Sequence, residues 1–439
     1  MPSDHRAALL DKIARRQARV GVVGLGYVGL PLACALAEQT AGVLGVDVDA
    51  AKVAQINAGE SYVGDVPAEQ VRALVEAGRL RATSAYADLA PMDAIIICVP
   101  TPLSKTRDPD ISYIVSAADE IARILRPGQL VVLESTTYPG TTEEVVLPRL
   151  AQGQHQVGRD FFLAFSPERI DPGNQRYHIR NTPKVLGGLT PACLEVAQAL
   201  YGLIVEQVVP VSSPRAAEMV KLLENTFRAV NIGLVNEVAL MCHRLGISVW
   251  EVIEAASTKP YGFMPFYPGP GLGGHCIPLD PQYLAWKLRT LNYTARFIQV
   301  ATEINLGMPH HVMDMIVDAL NTRRLALNGA RVLVLGVAYK PNVADVRESP
   351  ALEIITLLRD KGALVYYHDP HVPELRFDGF ALTRSELSDA LVSAMDCVVI
   401  VTPHSSYDWE DLIAQARLII DTRNATGKLA EGHEHVIKL

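Results

Sequence analysis

The sequence predicts an α/β protein with two doubly wound domains joined by a long central helical region. Three observations carry this. Arg19–Val23, Gly42–Val46, Ala94–Cys98 and Leu130–Leu133 are short β-rich runs separated by helix-like stretches such as Gly29–Glu38. Strands alternating with helices build βαβ units and a parallel sheet. The alternation returns from Arg331 as RVLVLGVAYK, a helical stretch near Pro350–Asp360, ALVYYHD, DCVVIVTPH and RLIIDT. ICVPTP at Ile97–Pro102 is echoed by IVTPH at Ile400–His404. Between the two, AAEMVKLLENTFRAVNIGLVNEVALMCHRLG carries apolar residues at three- and four-residue spacing for over thirty residues. That is one long helix or two in succession, with Gly246 as the stop. The expected architecture is two Rossmann-like domains, residues 1–207 and 323–439, around a central helical and loop region, 208–322.

Composition bounds the function. The 439 residues are 49% apolar and 20% charged, enough for sizeable cores and against global disorder. A net charge of −8 disfavours a nucleic-acid partner, whose footprint is usually basic. The first twenty residues carry charges throughout and no apolar h-region, so they read as a short amphipathic helix and not a signal peptide. No run approaches the ~18 apolar residues of a membrane span. A cytoplasmic chain with reduced thiols is expected. Its six cysteines form no CxxC pair.

The nucleotide signal lies at the first strand. RVGVVGLGYVGLPLA places Gly24, Gly26 and Gly29 in GxGxxG spacing, with Tyr27 and Val28 inside the turn. The motif closes a β-rich run and opens a helix-like one, the context a dinucleotide site requires. The glycines permit a tight turn and close approach to a pyrophosphate, while the helix N-terminus supplies N–H groups and a positive partial charge. Asp47 ends the next strand, 23 residues after Gly24. Its carboxylate suits the adenosine ribose hydroxyls and repels a 2′-phosphate, which favours NAD over NADP. Lys52 is placed to flank the ribose. Val99–Leu103, with Thr101, and Ser135–Thr137 follow later strand ends, where open α/β sheets bind ligands.

The chemistry signal is GPGLGGHCIPLD at Gly269–Asp280. Four glycines and two prolines suit a backbone that wraps closely around a ligand. Cys276 sits in this loop, whereas the other five cysteines fall in strand or helix patterns, so it is the candidate nucleophile. Asp280, four residues on, is placed to orient a water or a base. Lys221 and Asn225, four apart on the long helix, project from one face and are placed to hold an alkoxide and a water. Tyr283 and Lys287 make a YxxxK pair that reads as the start of a helix. His275, His310 and His311 lack metal-ligand spacing, so no metal is expected.

GLGYVGLPLA, ESTTYPGTTEE, FSPERIDPG, KLLENTFRAVNIGLVNE, GPGLGGHCIPLDP and LGVAYKPNVADVRESPA occur in that order. Together they resemble the UDP-glucose/GDP-mannose dehydrogenase family from about Arg19 to Arg423. Within it, PERxxPG with PYGF resembles the branch that oxidises UDP-N-acetylhexosamines, in particular bacterial enzymes acting on UDP-N-acetyl-D-glucosamine for surface polysaccharides. UDP-N-acetylmannosamine, UDP-N-acetylgalactosamine and UDP-glucose are the alternatives.

The resemblance implies oxidation of the sugar C6 alcohol to a carboxylate with two NAD⁺ per sugar, through a thioester on Cys276. Lys221, Asn225 and Asp280 would surround the alkoxide and a water. Glu168 and Thr136 would handle protons, Glu168 in thioester hydrolysis. Ser135 and Thr136 would also face NAD, and Arg347 would reach it. Glu168, Arg169, Tyr267, Gly269, Gly271, Gly273, Tyr339, Lys340 and Arg423 would contact the UDP-sugar, together with Lys221 and Asn225. A homodimer, or a higher homo-oligomer, built on the long helix is expected. Two places depart from the UDP-glucose enzymes: Pro172 stands where they carry a second glutamate, and Pro260, in KPYGF, where they carry a partner-subunit arginine. Lys259 or a nearby tyrosine would substitute for the arginine.

Overall fold

The structure is a computed structural model that describes residues 4–104, 108–153, 155–170, 174, 176–274, 276–377 and 379–439. The chain divides into two compact units, Met1–Glu224 with Gln282–Tyr293, and Asn225–Pro281 with Thr294–Leu439.

The first unit holds an eight-stranded sheet of β1 (Arg19–Val23), β2 (Gly42–Val46), β3 (Leu80–Thr83), β4 (Ala94–Ile97), β5 (Leu130–Leu133), β6 (Phe162–Phe165), β7 (Lys184–Gly188) and β8 (Val208–Val211). Their order is β3-β2-β1-β4-β5-β6-β7-β8. Every neighbouring pair is parallel except β6–β7. A parallel return needs a helical crossover, and no described residue of 166–183 is helical. The expectation of a parallel sheet thus holds for six of its seven strand pairs. β4, β5 and β6 are buried at every position, which is why they read as unbroken apolar runs. Helices including His5–Ala14, Gly29–Gln39 and Pro191–Tyr201 close one core over the sheet. Ser112–Ile124 lies in a separate core with Ile95, Ile97, Val131 and Leu163.

The second unit holds β9 (Arg331–Leu335), β10 (Leu364–His368), the hairpin β11 (Glu374–Phe377) and β12 (Phe380–Thr383), β13 (Cys397–Ile400), β14 (Ile419–Asp421) and β15 (Val436–Lys438). Five of these form a parallel sheet in the order β10-β9-β13-β14-β15. Helices Arg296–Thr322 and Pro350–Asp360 pack on it.

The central periodic stretch is one helix, Pro214–Leu245. Gly246 ends it with φ +68°, a left-handed conformation that glycine adopts at no steric cost.

Candidate active site

In the first unit the strand order reverses beside β1, where Gly24 follows it and Cys98 follows β4. Gly24 has φ +89°, and a Cβ there would lie 2.5 Å from the Cys98 carbonyl oxygen. A Cβ on Gly29 would lie 1.8 Å from the Gly24 carbonyl oxygen, so both positions require glycine. A Cβ on Gly26 meets nothing within 4 Å, so this position faces open space. Helix Gly29–Gln39 begins after Val28, and no side chain caps its N-terminus. Pro31 has no N–H and the Leu30 N–H donates to the Gly26 carbonyl at 3.1 Å, so this helix start is closed by its own backbone and by no side chain.

Asp47 is 8% exposed. Its Oδ2 accepts the Leu25 N–H at 2.9 Å and its Oδ1 accepts the Asp49 N–H at 2.9 Å. Lys52 Nζ stands 3.9 Å from Oδ2. The carboxylate is fixed at the lip of the glycine turn. An open glycine turn and an oriented carboxylate fit a dinucleotide. Tyr27 is exposed, and Val99, Thr101 and Thr136 are half-buried around these strand ends. Ser135 is buried, its hydroxyl donating to the Ile97 carbonyl at 3.3 Å.

Glu168 lies in the same unit beyond β6, in a network that the sequence patterns do not reveal. Its Oε1 accepts the N–H groups of Arg169 and Ile170 at 2.7 and 2.6 Å. Its Oε2 pairs with Lys184 Nζ at 3.1 Å. Lys184 also pairs with Glu134 at 2.9 Å, and Tyr201 donates its hydroxyl to Glu134. Burial pushes the Glu168 carboxyl up, but Lys184, the Ile170 N–H and Lys221 outweigh it and hold it below the usual range. Lys221 Nζ donates to the main-chain carbonyl of Glu168 at 2.6 Å, which joins two predicted residues. Arg169 is engaged by the Pro183 carbonyl and Glu224. Pro172 and His275 lie outside the described residues.

In the second unit Cys276 is half-buried at the start of helix Asp280–Arg289, where its carbonyl accepts the Asp280 N–H at 2.8 Å. Asn225 donates its amide to the Asp280 carboxylate, and both are buried. The glycine loop is held from two sides. The Gly269 N–H donates to Asn236 Oδ1 at 2.9 Å, and Asn236 donates to Asn305 at 2.8 Å. A Cβ on Gly269 would lie 2.4 Å from the Arg423 guanidinium. One on Gly273 would lie 2.8 Å from Tyr339 Cβ, and one on Gly274 3.0 Å from its ring. Gly271 has φ +134° and faces the Asn305 carbonyl. Three of the four loop glycines, at 269, 273 and 274, thus admit close packing on Arg423 and Tyr339, and the fourth takes a backbone conformation that favours glycine.

Arg423 donates from Nε to the Val401 carbonyl at 3.1 Å. Burial lowers its guanidinium to about 10. Among the described residues no carboxylate pairs with it, so an anionic ligand would meet a half-buried cation. Lys340 stands 6.0 Å from the centre of the Tyr339 ring. Arg347 pairs with Asp345 at 2.6 Å. Tyr267 is exposed and stacked on Trp250. Lys259 lies over Tyr261, while Pro260 is exposed.

The YxxxK pair is engaged structurally. Tyr283 donates to the Thr101 carbonyl at 2.9 Å, and Lys287 pairs with Glu144 at 2.6 Å. Of the other cysteines, Cys34, Cys193, Cys242 and Cys397 are buried. Cys98 is half-buried, and burial with Glu134 pushes its thiol well above the ordinary value.

Three family models match the chain: the NAD binding, central and UDP binding domains of the UDP-glucose/GDP-mannose dehydrogenase family, at residues 18–205, 215–306 and 333–428. The chain belongs to this family. It is therefore an NAD-dependent oxidoreductase of nucleotide sugars, with an NAD-binding N-terminal domain and a UDP-binding C-terminal domain. The chain is 38% identical to an NDP-N-acetyl-D-galactosaminuronic acid dehydrogenase of Ralstonia nicotianae, over 92% of this chain and 95% of that one. It is 36% identical to a UDP-N-acetyl-D-glucosamine 6-dehydrogenase of Pseudomonas aeruginosa, over 89% and 91%. The solved structure of a UDP-D-ManNAc dehydrogenase of Pyrococcus horikoshii matches with a TM-score of 0.87 at 34% identity, covering 96% of this chain and 98% of that one. Among the described residues, no helix of this family member is long and apolar enough to cross a membrane.

Proposed function

We propose that this chain oxidises C6 of UDP-N-acetyl-D-glucosamine to the carboxylate, in the cytoplasm, for surface polysaccharide synthesis. The observation that carries the chemistry is the convergence on Asp280. Its N–H caps the Cys276 carbonyl and its carboxylate holds the Asn225 amide. A nucleophile and a carboxylate of the glycine loop and an amide of the long helix therefore share one anchor.

NAD⁺, when held by the Gly24–Gly29 turn and Asp47, supplies the hydride acceptor, twice per sugar. Lys221 and Asn225 stabilise the C6 alkoxide as the first hydride leaves. The Cys276 sulfur then bonds to the aldehyde carbon and the thiol proton passes to the aldehyde oxygen. Loss of the second hydride turns that thiohemiacetal into a thioester. Water adds to the thioester carbon, the C–S bond breaks, and Glu168 receives a proton from the water. In balance, one alcohol, one water and two NAD⁺ give one carboxylate, two NADH and three protons. A covalent intermediate keeps the aldehyde from escaping. Arg423, Lys340 and Tyr339 hold the UDP, and the glycine loop lies along it.

The relatives' names spread over three N-acetylhexosamines, which supports the N-acetylated class and leaves the configuration at C2 and C4 to experiment. A panel of UDP-GlcNAc, UDP-GalNAc, UDP-ManNAc and UDP-glucose with NAD⁺ tests the reading. Two NADH per UDP-GlcNAc are expected, and one NADH per sugar sinks the thioester route. Cys276→Ser should lower acid formation by about a thousandfold or more. Full turnover by that variant would remove Cys276 from the mechanism.

The same reading includes a homodimer. Leu223, Phe227, Leu234, Met241 and Leu245 are exposed along the long helix at spacings of four and seven, one apolar stripe suited to a second copy. Light scattering at twice the chain mass is the expected result, and a monomer at assay concentration contradicts it.

A further inference from the structure

Lys184 is a buried cation with no place in the reaction as drawn above. It begins β7, a strand buried at all five positions. A lysine is rarely found so deep unless its charge is matched. Here it is matched twice, by Glu134 at 2.9 Å and Glu168 at 3.1 Å, with side-chain exposures of 9% for the lysine and 0% and 11% for the carboxylates. Its ammonium also lies 5.7 Å from the centre of the Tyr201 ring. Tyr201 in turn donates to the second oxygen of Glu134.

The partners of Glu168 show what this arrangement does. One carboxylate oxygen is tied to the main chain at Arg169 and Ile170, and the other to Lys184. The side chain therefore pins the turn that follows its own residue. The main-chain carbonyl of residue 168 receives Lys221 at 2.6 Å. Ion pair, turn and lysine form one chain of contacts, all inside the first unit.

We propose that Lys184, seated by Glu134 and Tyr201, is a positioning residue: it keeps the Glu168 carboxylate anionic and fixed, and thereby holds the carbonyl that orients Lys221. The inference rests on the proposed reading in assigning Glu168 and Lys221 to proton handling. The charged and titratable groups that face Glu168 are Lys184 on β7, Glu134 after β5, Cys98 after β4, Tyr201 on its helix, Lys221 on the long helix and the adjacent Arg169. Lys184 is the cation paired with the carboxylate itself, whereas Lys221 bonds to the carbonyl and reaches the carboxylate only through its charge, a weaker influence than that of Lys184. Loss of Lys184 leaves burial as the dominant influence on Glu168, which favours the protonated acid.

The test uses the full chain carrying Lys184→Met with Glu134→Gln, which removes one buried charge of each sign and keeps an acceptor for Tyr201. Glu168 ionisation is followed by infrared difference spectroscopy of ¹³C-glutamate-labelled protein, with Glu168→Gln in each background as the subtraction. The expected result is a titration about one pH unit or more above that of the unsubstituted chain. With UDP-sugar and NAD⁺, the acid limb of kcat should move up with it. At pH 7, kcat should fall about tenfold while the KM for the sugar nucleotide changes by less than about threefold. Lys184→Arg, which retains the cation, should restore most of both. If the double variant does not fold, Lys184→Gln carries the same titration test.

An unshifted Glu168 titration overturns the inference whatever the activity. A shifted titration in a chain that forms no NADH with any UDP-sugar overturns the proposed function instead, and leaves the hold of Lys184 on Glu168 standing.

Discussion

The two main sheets make the same turn and use it differently. After β1, Gly24 takes φ +89° and its Cβ position is closed by the Cys98 carbonyl; after β9, Gly336 takes φ +79° and its Cβ position is closed by the Thr402 carbonyl at 2.3 Å. Each sheet then places an aspartate just past the neighbouring strand. Asp47 accepts the Leu25 N–H at 2.9 Å and Asp369 accepts the Val337 N–H at 2.8 Å, in both cases from the residue after the glycine.

From there they diverge. Helix Gly29–Gln39 starts five residues after Gly24 and has no side-chain cap. Helix Pro350–Asp360 starts fourteen residues after Gly336, with Ser349 capping the Ala351 N–H and proline at its first position. Asp47 keeps 8% of its surface exposed and has Lys52 beside it, whereas Asp369 is 0% exposed and sealed by His404 Nε2 at 2.9 Å. The Asn342 N–H donates to His404 Nδ1, so the ring is the neutral tautomer that donates from Nε2. One copy of the turn is left open at Gly26. The other is closed on itself, and the long segment between glycine and helix carries Tyr339, Lys340 and Arg347 instead.

The largest expected effect tests the sealed copy. Asp369→Ala strands His404 and the N–H groups of Val337 and Ala338 in the interior, and should cost about 3–5 kcal/mol in denaturant unfolding. NAD affinity of the folded fraction should change by less than about twofold. Burial alone would raise the Asp369 carboxyl, but His404 and the backbone N–H groups outweigh it and hold it at about 2. Its folded value lies below its unfolded one. The stability it adds is therefore complete above about pH 4 and is lost as pH falls towards 2. Asp369→Asn should flatten that part of the acid-unfolding curve.

Next comes the open copy. Asp47→Ala should weaken NAD binding about 10–100-fold by calorimetry and narrow the preference over NADP. If Asp47→Ala instead destabilises the fold as much as Asp369→Ala, the contrast fails. Ser349→Ala should cost about 1 kcal/mol of stability and leave NAD affinity unchanged, since that helix start is already capped from within. The smallest effect belongs to Lys52→Ala. A half-exposed lysine 3.9 Å from Asp47 should matter by no more than about threefold in NAD affinity.

Much of this was legible in residue order. The strands at Arg19, Gly42, Ala94 and Leu130, the helix at Pro350–Asp360 and the Gly246 stop follow from periodicity and turn chemistry, which are local. The glycine turn and Asp47 are equally local, because the fingerprint spans one βαβ unit. The echo between Ile97–Pro102 and Ile400–His404 pointed to two like α/β domains, although not to His404 closing on Asp369. Lys184, Glu134 and Tyr201 went unnoticed because a charged residue at the end of an apolar strand reads as a solvated edge. Their partners are 16 to 67 residues away. Asn236 and Asn305 were hidden in the same way, as ordinary polar residues on long helices whose pairing spans 69 residues.

The sequence by itself determined two α/β domains, a long helix between them, an NAD fingerprint and a cysteine in a glycine loop. Each is written in neighbouring residues, through steric limits on the backbone or the period of a helix or strand. Tertiary structure alone decided which of two like aspartates stays open and which buried cation holds Glu168. It also decided that Asn225 meets Asp280. Those outcomes depend on desolvation and on partners far apart in the chain, and neither can be read from spacing.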